Sequence, residues 1–434
     1  MLAFARNERP DDDSQFWFVS PQADFSLNRL GELRIDAHAA HVLSVGELIQ
    51  ESWLLKCLAI GSWLDVEVVR KIRSCKSRPL IEYWEGDLGL ASTQGYKVKG
   101  EPNDASSLHV LLDLGAPKRP SSPFTVDPTA YELFSHETLD RTRLDEKSQD
   151  QLRAYRAPLF LLKKSLPPDR KLANSLTSYV DIAFNQSYYG YSACGDEDAE
   201  LLVRYLHVFA HGSLWTYLLL ATSPTIGTER PVFLKSDFDS CALIPLNELS
   251  EIAKSQLFQL SKRLESADIS SFDDIDRYIA SLFGLSKRDV EVMSDTGDVR
   301  NPHDELGICG SRPTTEQEIQ HFCSEVRAAI RPFAKKVGFE VNVEQCGDQT
   351  KEDAFRFLRI SVIDFIDQSV DDVRHLILQL ADRIGASLII QANDGVLFVG
   401  VLNQYRYWTK SRARLLAADI LRDHFSTFER WQSS

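Results

Sequence analysis

The 434-residue chain has no run of about eighteen apolar residues, so nothing in it reads as a membrane span. The longest apolar cluster, near Leu214–Ala221, is short and polar on both sides. The first residues, MLAFARNERPDDDSQ, turn acidic at once and carry no apolar signal core, which points to the cytoplasm. Seven cysteines are present, but no C-x-x-C occurs and the count is odd. Their spacings do not pair as zinc ligands do, so they read as scattered reduced thiols suited to the cytosol. Neither a G-x-G-x-x-G nor a Walker lysine accompanies Gly86, Gly89 and Gly95, and the segment around them reads as loop. A G-x-S-x-G elbow and the kinase motif set are also missing. His207 and His211 are four apart, as in a zincin helix, but Val208 stands where that motif needs Glu. No metal is expected, and the pair reads as half-buried structural histidines.

What remains is a soluble globular composition, 43% hydrophobic and 26% charged. A single core rarely grows past roughly 250–300 residues, so two or three domains are expected. The formal net charge of −14 argues against a nucleic-acid binder with a basic footprint over its whole surface. It leaves room for a local basic groove, and equally for a basic protein partner.

Taken in order, the chain predicts an α+β, multidomain protein. Ser44 followed by Glu47 is a capping signature opening a helix with Leu48, Leu54, Leu55 and Leu58 on one face. Gly61 breaks it, and a second helix starts with Asp65 in its first turn. Residues 83–130, rich in Gly, Pro, Ser and Asp, predict irregular structure with short strands. Ser135–Leu152 is mixed in charge and helix-like. Leu159–Leu162 reads as a buried strand, Glu200–Leu220 as one apolar helix, and Leu246–Leu264 and Phe272–Phe283 as amphipathic helices. Ser286 is placed to cap another. Residues 293–313 lack apolar periodicity and read as a linker. A helix over Thr314–Ile330, ended or kinked by Pro332, opens a C-terminal unit. Strands Phe339–Val343 and Phe355–Val362, a helix Asp371–Ile384, strands Leu388–Gln391 and Gly395–Leu402 around Asn393–Asp394–Gly395, and a last helix Thr409–Phe425 complete it. The expected division is 1–150, a helical hairpin with an irregular β region; 151–292, a mixed helical and short-stranded domain with a helical extension; 293–313, linker; and 314–434, a small α/β sandwich-like domain.

Three segments carry candidate binding chemistry. Lys163 and Lys164 end the Leu159–Leu162 run, and Arg170 and Lys171 follow Pro167–Pro168. Four cations so placed can track a phosphate backbone, or form a solvated charged turn. Asn185, Gln186, Tyr188 and Tyr189, with Tyr191, form a loop rich in amides and aromatics. Amides pair with adenine edges and aromatics stack on extruded bases; a packed turn of core-capping tyrosines is the alternative. Tyr405–Arg414 is the densest cationic-aromatic stretch. Arg406, Lys410, Arg412 and Arg414 surround Tyr407 and Trp408, fit for phosphates and stacking or for docking a helix start on its own sheet.

The series from Tyr155 to Pro245 resembles the target-recognition region that follows the catalytic domain in large adenine-specific DNA methyltransferases. The parts that carry the resemblance are Ser213–Leu214, the apolar helix, Thr222–Ser223, Gly227, Glu229, Arg230 and Lys235. Gly61 with Asp65, and the Gly95–Tyr96–Lys97 passage, are similar to junctions in that family, and the likeness spans roughly residues 43–290. The catalytic part is missing. No [D/N]-P-P-[Y/F] tetrad is present, Asp127–Pro128–Thr129–Ala130–Tyr131 being only an echo of it, and no glycine-rich S-adenosylmethionine loop follows a first strand. Nor do Asp145–Glu146–Lys147 or Asp169–Arg170–Lys171 sit in a nuclease context. The resemblance therefore implies a non-catalytic specificity subunit in a restriction–modification or phage-defence system. It would bind double-stranded DNA through the residues named above, Arg230 and Lys235 included, and direct a separate methyltransferase subunit holding the S-adenosylmethionine. Two alternatives stay open: a scaffold that assembles other defence proteins without reading DNA, and an unrecognised enzyme built around His207 and His211.

Overall fold

The computed structural model describes residues 10–20, 39–98, 105–117, 124–135, 142–144, 152–167, 174–226, 232–301, 303, 308–346, 353–362, 374–380, 387–393 and 396–424. The fold is α+β with several small sheets. Its chain forms two compact units, one of Glu67–Val290 and one of Met1–Val66 with Glu291–Ser434. Among the described residues no helix is long and apolar enough to cross a membrane. The seven cysteines form no disulfide.

In the Glu67–Val290 unit, a four-stranded antiparallel sheet runs in the order Ser175–Ser178, Leu159–Lys163, Tyr188–Ser192, Ala91–Gln94. Leu159 to Leu162 are all buried, as a central strand with both faces covered requires. One cover is the helix Ala199–Ala210, which lies against Leu159–Lys163 and Ser175–Ser178. The other core gathers Tyr96, Leu108, Tyr131, Leu159, Leu161 and Phe184 beside a second sheet of Ile182–Ala183, Leu112–Pro117 and Tyr131–Leu133. Arg204 is buried on the Ala199–Ala210 helix and is held by Glu265 at 2.8 Å, Glu200 at 2.8 Å and Ser261 at 3.0 Å. That network ties its helix to Glu251–Glu265.

The single helix expected over Glu200–Leu220 is two helices, Ala199–Ala210 and Ser213–Thr222. Gly212 takes an extended conformation between them, and a Cβ there would lie 2.3 Å from Ile279 Cδ1. The Asp276 carboxylate accepts from Ser213 N–H at 2.7 Å and so restarts the helix. Apolar periodicity continues across the break because both pieces are buried nearly all round, which is why the sequence hides it. The helix-like stretch Ser135–Leu152 lies mostly outside the described residues; within it, Thr142–Arg143 is a strand paired with Lys97–Val98. Ser286 caps as expected: its Oγ accepts from Asp289 N–H at 3.3 Å while its own N–H donates to the Asp289 carboxylate at 2.6 Å.

In the other unit, Ser44 and Glu47 form the expected reciprocal cap, and Val45–Gln50 and Leu54–Ile60 follow as short helices, ahead of Trp63–Ser74, whose residues from Glu67 on belong to the first unit. Gly61 is required where the chain turns, since a Cβ would sit 2.3 Å from the Asp65 carboxylate. The helix Lys287–Val299 occupies the first residues of the expected linker, with Val292, Met293 and Thr296 buried at helical spacing. The C-terminal sheet is antiparallel in the order Val341–Gln345, Phe355–Val362, Val396–Leu402, Leu388–Asn393. Along Val396–Leu402 the side chains alternate. Leu397, Val399 and Val401 meet the helices Glu316–Val337 and Lys410–Asp423, while Val396, Phe398 and Leu402 join Ile377 of the helical stretch 374–380. Both faces are thus covered, as the sandwich-like expectation has it. The Glu316–Val337 helix runs through Pro332 instead of ending there, and stops at Gly338, whose φ is 93°. Proline forfeits one helical hydrogen bond, and the buried Ile330 and Ala334 around it hold the helix to its sheet.

Candidate functional site

One end of the four-stranded sheet brings together groups that lie far apart in the sequence. Lys163 pairs with Tyr188 across the strands, and Lys164 N–H donates to the Ser187 carbonyl at 3.0 Å. Gln186 N–H donates to the Tyr96 carbonyl at 2.7 Å, which places Lys97 beside the same loop. Gly95 makes this approach possible, because a Cβ there would be 2.2 Å from the Asn185 carbonyl oxygen. Asn185 Oδ1 accepts from Ser187 N–H at 3.0 Å and locks the turn, leaving Gln186 and Ser187 exposed. Burial pushes the Lys163 ammonium below its ordinary value. The same happens at Lys164, where burial acts first and the like charge of Lys97 adds to it. A bound anion would offset the like charge that Lys97 exerts on Lys164. Lys97 is missing from the candidates drawn from sequence; only the β pairing brings it here.

Tyr188 and Asn185 are half-buried at this edge, but Tyr189 is core. Its hydroxyl donates to the Phe233 carbonyl at 3.0 Å, and the Lys164 ammonium sits 5.3 Å from its ring centroid. The ring supports the lysine and presents no face for stacking on a base. Lys235 is tied to Asp239 at 2.9 Å and lies over the Tyr191 ring. Arg170, Lys171 and Arg230 lie outside the described residues.

The Tyr405–Arg414 segment belongs to the other unit. Trp408 is 2% exposed, packs on Phe322 and donates from Nε1 to the Leu402 carbonyl at 2.9 Å. It therefore anchors the core and is not presented for stacking, and Tyr407 is partly buried against the same core. Lys410 pairs with Glu291 at 3.0 Å, and Arg414 pairs with Glu291 and with Glu325. Burial works to raise the Glu291 carboxyl, but hydrogen bonds from Arg414 and Lys410 outweigh it and hold the group below its ordinary value. Arg406 and Arg412 line a small cavity together with Arg300.

Two other features bear on function. A cavity of about 510 Å³ in the Glu67–Val290 unit is walled by Asp87, Asp196, Glu197, Asp198 and Glu248 with Arg78, a wall that repels phosphate. His207 and His211 are fully buried instead of half-buried, with ring centroids 4.7 Å apart. Ser175 Oγ lies 2.9 Å from Nδ1 of His207 and 3.3 Å from Nδ1 of His211. Burial first, then the charges of His211 and Arg204, keeps His207 well below its ordinary value and so neutral. Among the described residues no group of three or more His, Cys, Asp or Glu is placed to hold a metal ion.

No family model matches the chain, and no curated protein matches it. Among solved structures it is similar to one described as the type IIG restriction endonuclease BpuSI, at 9% identity and a TM-score of 0.31. The match covers 65% of this chain and 37% of that one, so the chain spans little more than a third of the neighbour's length.

Proposed function

We propose that the chain is a non-catalytic DNA target-recognition subunit of a split adenine methyltransferase in a restriction–modification or phage-defence system. It acts in the cytoplasm, binds duplex DNA and directs a separate subunit that holds S-adenosylmethionine and transfers the methyl group. The observation that carries this reading is the convergence of Lys97, Lys163 and Lys164 on the Asn185–Ser187 turn. Lysines with half-buried stems are fixed point charges for backbone phosphates, which set register without reading sequence. The exposed Gln186 amide beside them offers an acceptor oxygen and a donor NH₂ that complement the N6 donor and N7 acceptor of adenine in the major groove. The charge of −14 fits a protein whose cationic contacts are confined to a small area.

Methylome sequencing tests this in cells carrying the partner methyltransferase. Deleting this chain should abolish methylation at the system's site, and Gln186→Ala should relax the base preference there. An unchanged methylome after deletion contradicts the proposal. The same net charge also favours a scaffold reading, in which the chain holds defence subunits together and touches no DNA. That reading predicts an assembled complex whose site choice ignores Lys163, Lys164 and Gln186.

A further inference from the structure

In the unit of Met1–Val66 and Glu291–Ser434, three guanidiniums from separate elements line one cavity. Arg300 follows the helix Lys287–Val299, Arg406 lies in the turn Tyr405–Tyr407, and Arg412 is in the first turn of Lys410–Asp423. Arg300 donates through Nε to the Ile60 carbonyl at 3.1 Å, and Arg406 through Nε to the Gly310 carbonyl at 3.4 Å. Each bond fixes the plane of a forked group whose geometry suits an oxyanion. Among the described residues no carboxylate lies within ion-pairing distance of Arg412. Burial, with the charges of Arg406 and Arg412, pushes the Arg300 guanidinium down to about 10. Lys56 feels the same field: burial and the charge of Arg300 bring it to about 8.

Two carboxylates share the wall, and both are already engaged by neutral donors. Asp65 accepts from Ser62 N–H at 2.7 Å, Ser62 Oγ at 3.0 Å and Thr296 Oγ1 at 2.5 Å. Asp295 accepts from the N–H and Oγ of Ser411, each at 2.7 Å. The cavity measures about 40 Å³. A water position needs roughly 10–15 Å³ on that scale, so the space admits a group of a few heavy atoms and excludes a nucleobase.

We propose that Arg300, Arg406 and Arg412 form a binding site for a single phosphate group, separate from the lysine cluster of the other unit and independent of the DNA reading. Titration calorimetry of the full chain with inorganic phosphate, at ionic strength held constant with sodium chloride, tests it. The wild-type chain should bind phosphate saturably. Arg412→Gln should weaken binding by roughly tenfold or more, since a hydrogen-bonded charge is removed. Arg412→Lys should fall between, and Arg422→Gln, at a surface arginine paired with Asp419 and Asp423, should match wild type. Thermal unfolding without phosphate checks that each variant is folded. If Arg412→Gln fails that check, Arg412→Lys carries the comparison, and affinity equal to wild type counts against the site. Competition with a short duplex identifies the source. Displacement of phosphate assigns the site to a backbone diester, and undisturbed phosphate binding assigns it to a free phosphate or small phosphoester. Absence of saturable phosphate binding, or equal binding by Arg412→Gln, overturns the proposal.

Discussion

The lysine cluster at the sheet end and the Tyr405–Arg414 segment are both rich in cations, and they use their charges differently. At the sheet end, Lys97 lies on one strand and Lys163 and Lys164 at the end of another; burial lowers Lys163, and burial with the like charge of Lys97 lowers Lys164. In Tyr405–Arg414 the cations are adjacent in sequence, yet Lys410 and Arg414 are consumed by Glu291, and Trp408 is core. Of that segment's cations, Arg406 and Arg412 line the arginine-lined cavity. Density of basic residues along the chain is thus a poor guide to where positive charge is presented. Carboxylates brought up by the fold decide it.

The largest effect that sharpens this contrast is at Trp408. As a buried anchor, Trp408→Ala should destabilise its unit by about 3–5 kcal/mol in urea unfolding. A surface stacking residue would change stability by under about 0.5 kcal/mol. Next is the ion-pair hub. Glu291 and Arg414 are 14% and 16% exposed, so Glu291→Ala leaves Arg414 in a mostly dry place with Glu325 as its remaining partner, while Lys410, 40% exposed, turns to water. A loss of about 2–3 kcal/mol is expected, short of the cost of breaking a fully buried pair. A smaller effect is the pH dependence of that hub. The Glu291 carboxyl is held below its ordinary value of 4.5 in the fold, so its contribution is complete above that value and fades as pH falls through the folded value. The stability gap between wild type and Glu291→Gln should therefore be flat from pH 7 to about pH 5 and narrow below it. A gap that widens on acidification breaks the account. Smallest of all, Lys163→Ala with Lys164→Ala should alter stability by no more than about 0.5 kcal/mol, because neither lysine anchors the core.

Much of the architecture is legible in the sequence where local chemistry dictates it. The Ser44–Glu47 cap follows from its capping residues, the Leu159–Leu162 strand from a bounded apolar run, the Phe355–Val362 strand from partial alternation, and the C-terminal strand pair from its turn signal. Boundaries set by tertiary contact are not legible. The helix breaks at Gly212, where Ile279 leaves no room for a Cβ and Asp276 starts the next helix, and Pro332 lies inside a helix whose buried residues on both sides hold it to the sheet. The candidate site divides in the same way. Lys163, Lys164 and the Asn185–Tyr188 loop are found from residue type, and their adjacency is a product of strand pairing. Lys97 is marked in sequence only as part of the Gly95–Tyr96–Lys97 passage and not as a phosphate contact, and no periodicity or motif marks Arg300. Tyr189 and Trp408 look like stacking platforms in one dimension and are core in three.

Duplex-DNA affinity of the chain assembled with its methyltransferase partner, measured across a salt series, tests the central claim most directly. The wild-type complex should show a steep linear fall of log K with log salt. Lys163→Ala with Lys164→Ala should reduce that slope by roughly 1.8, at about 0.9 for each phosphate no longer neutralised. Binding that ignores salt, or a slope identical in the double variant, would contradict the account.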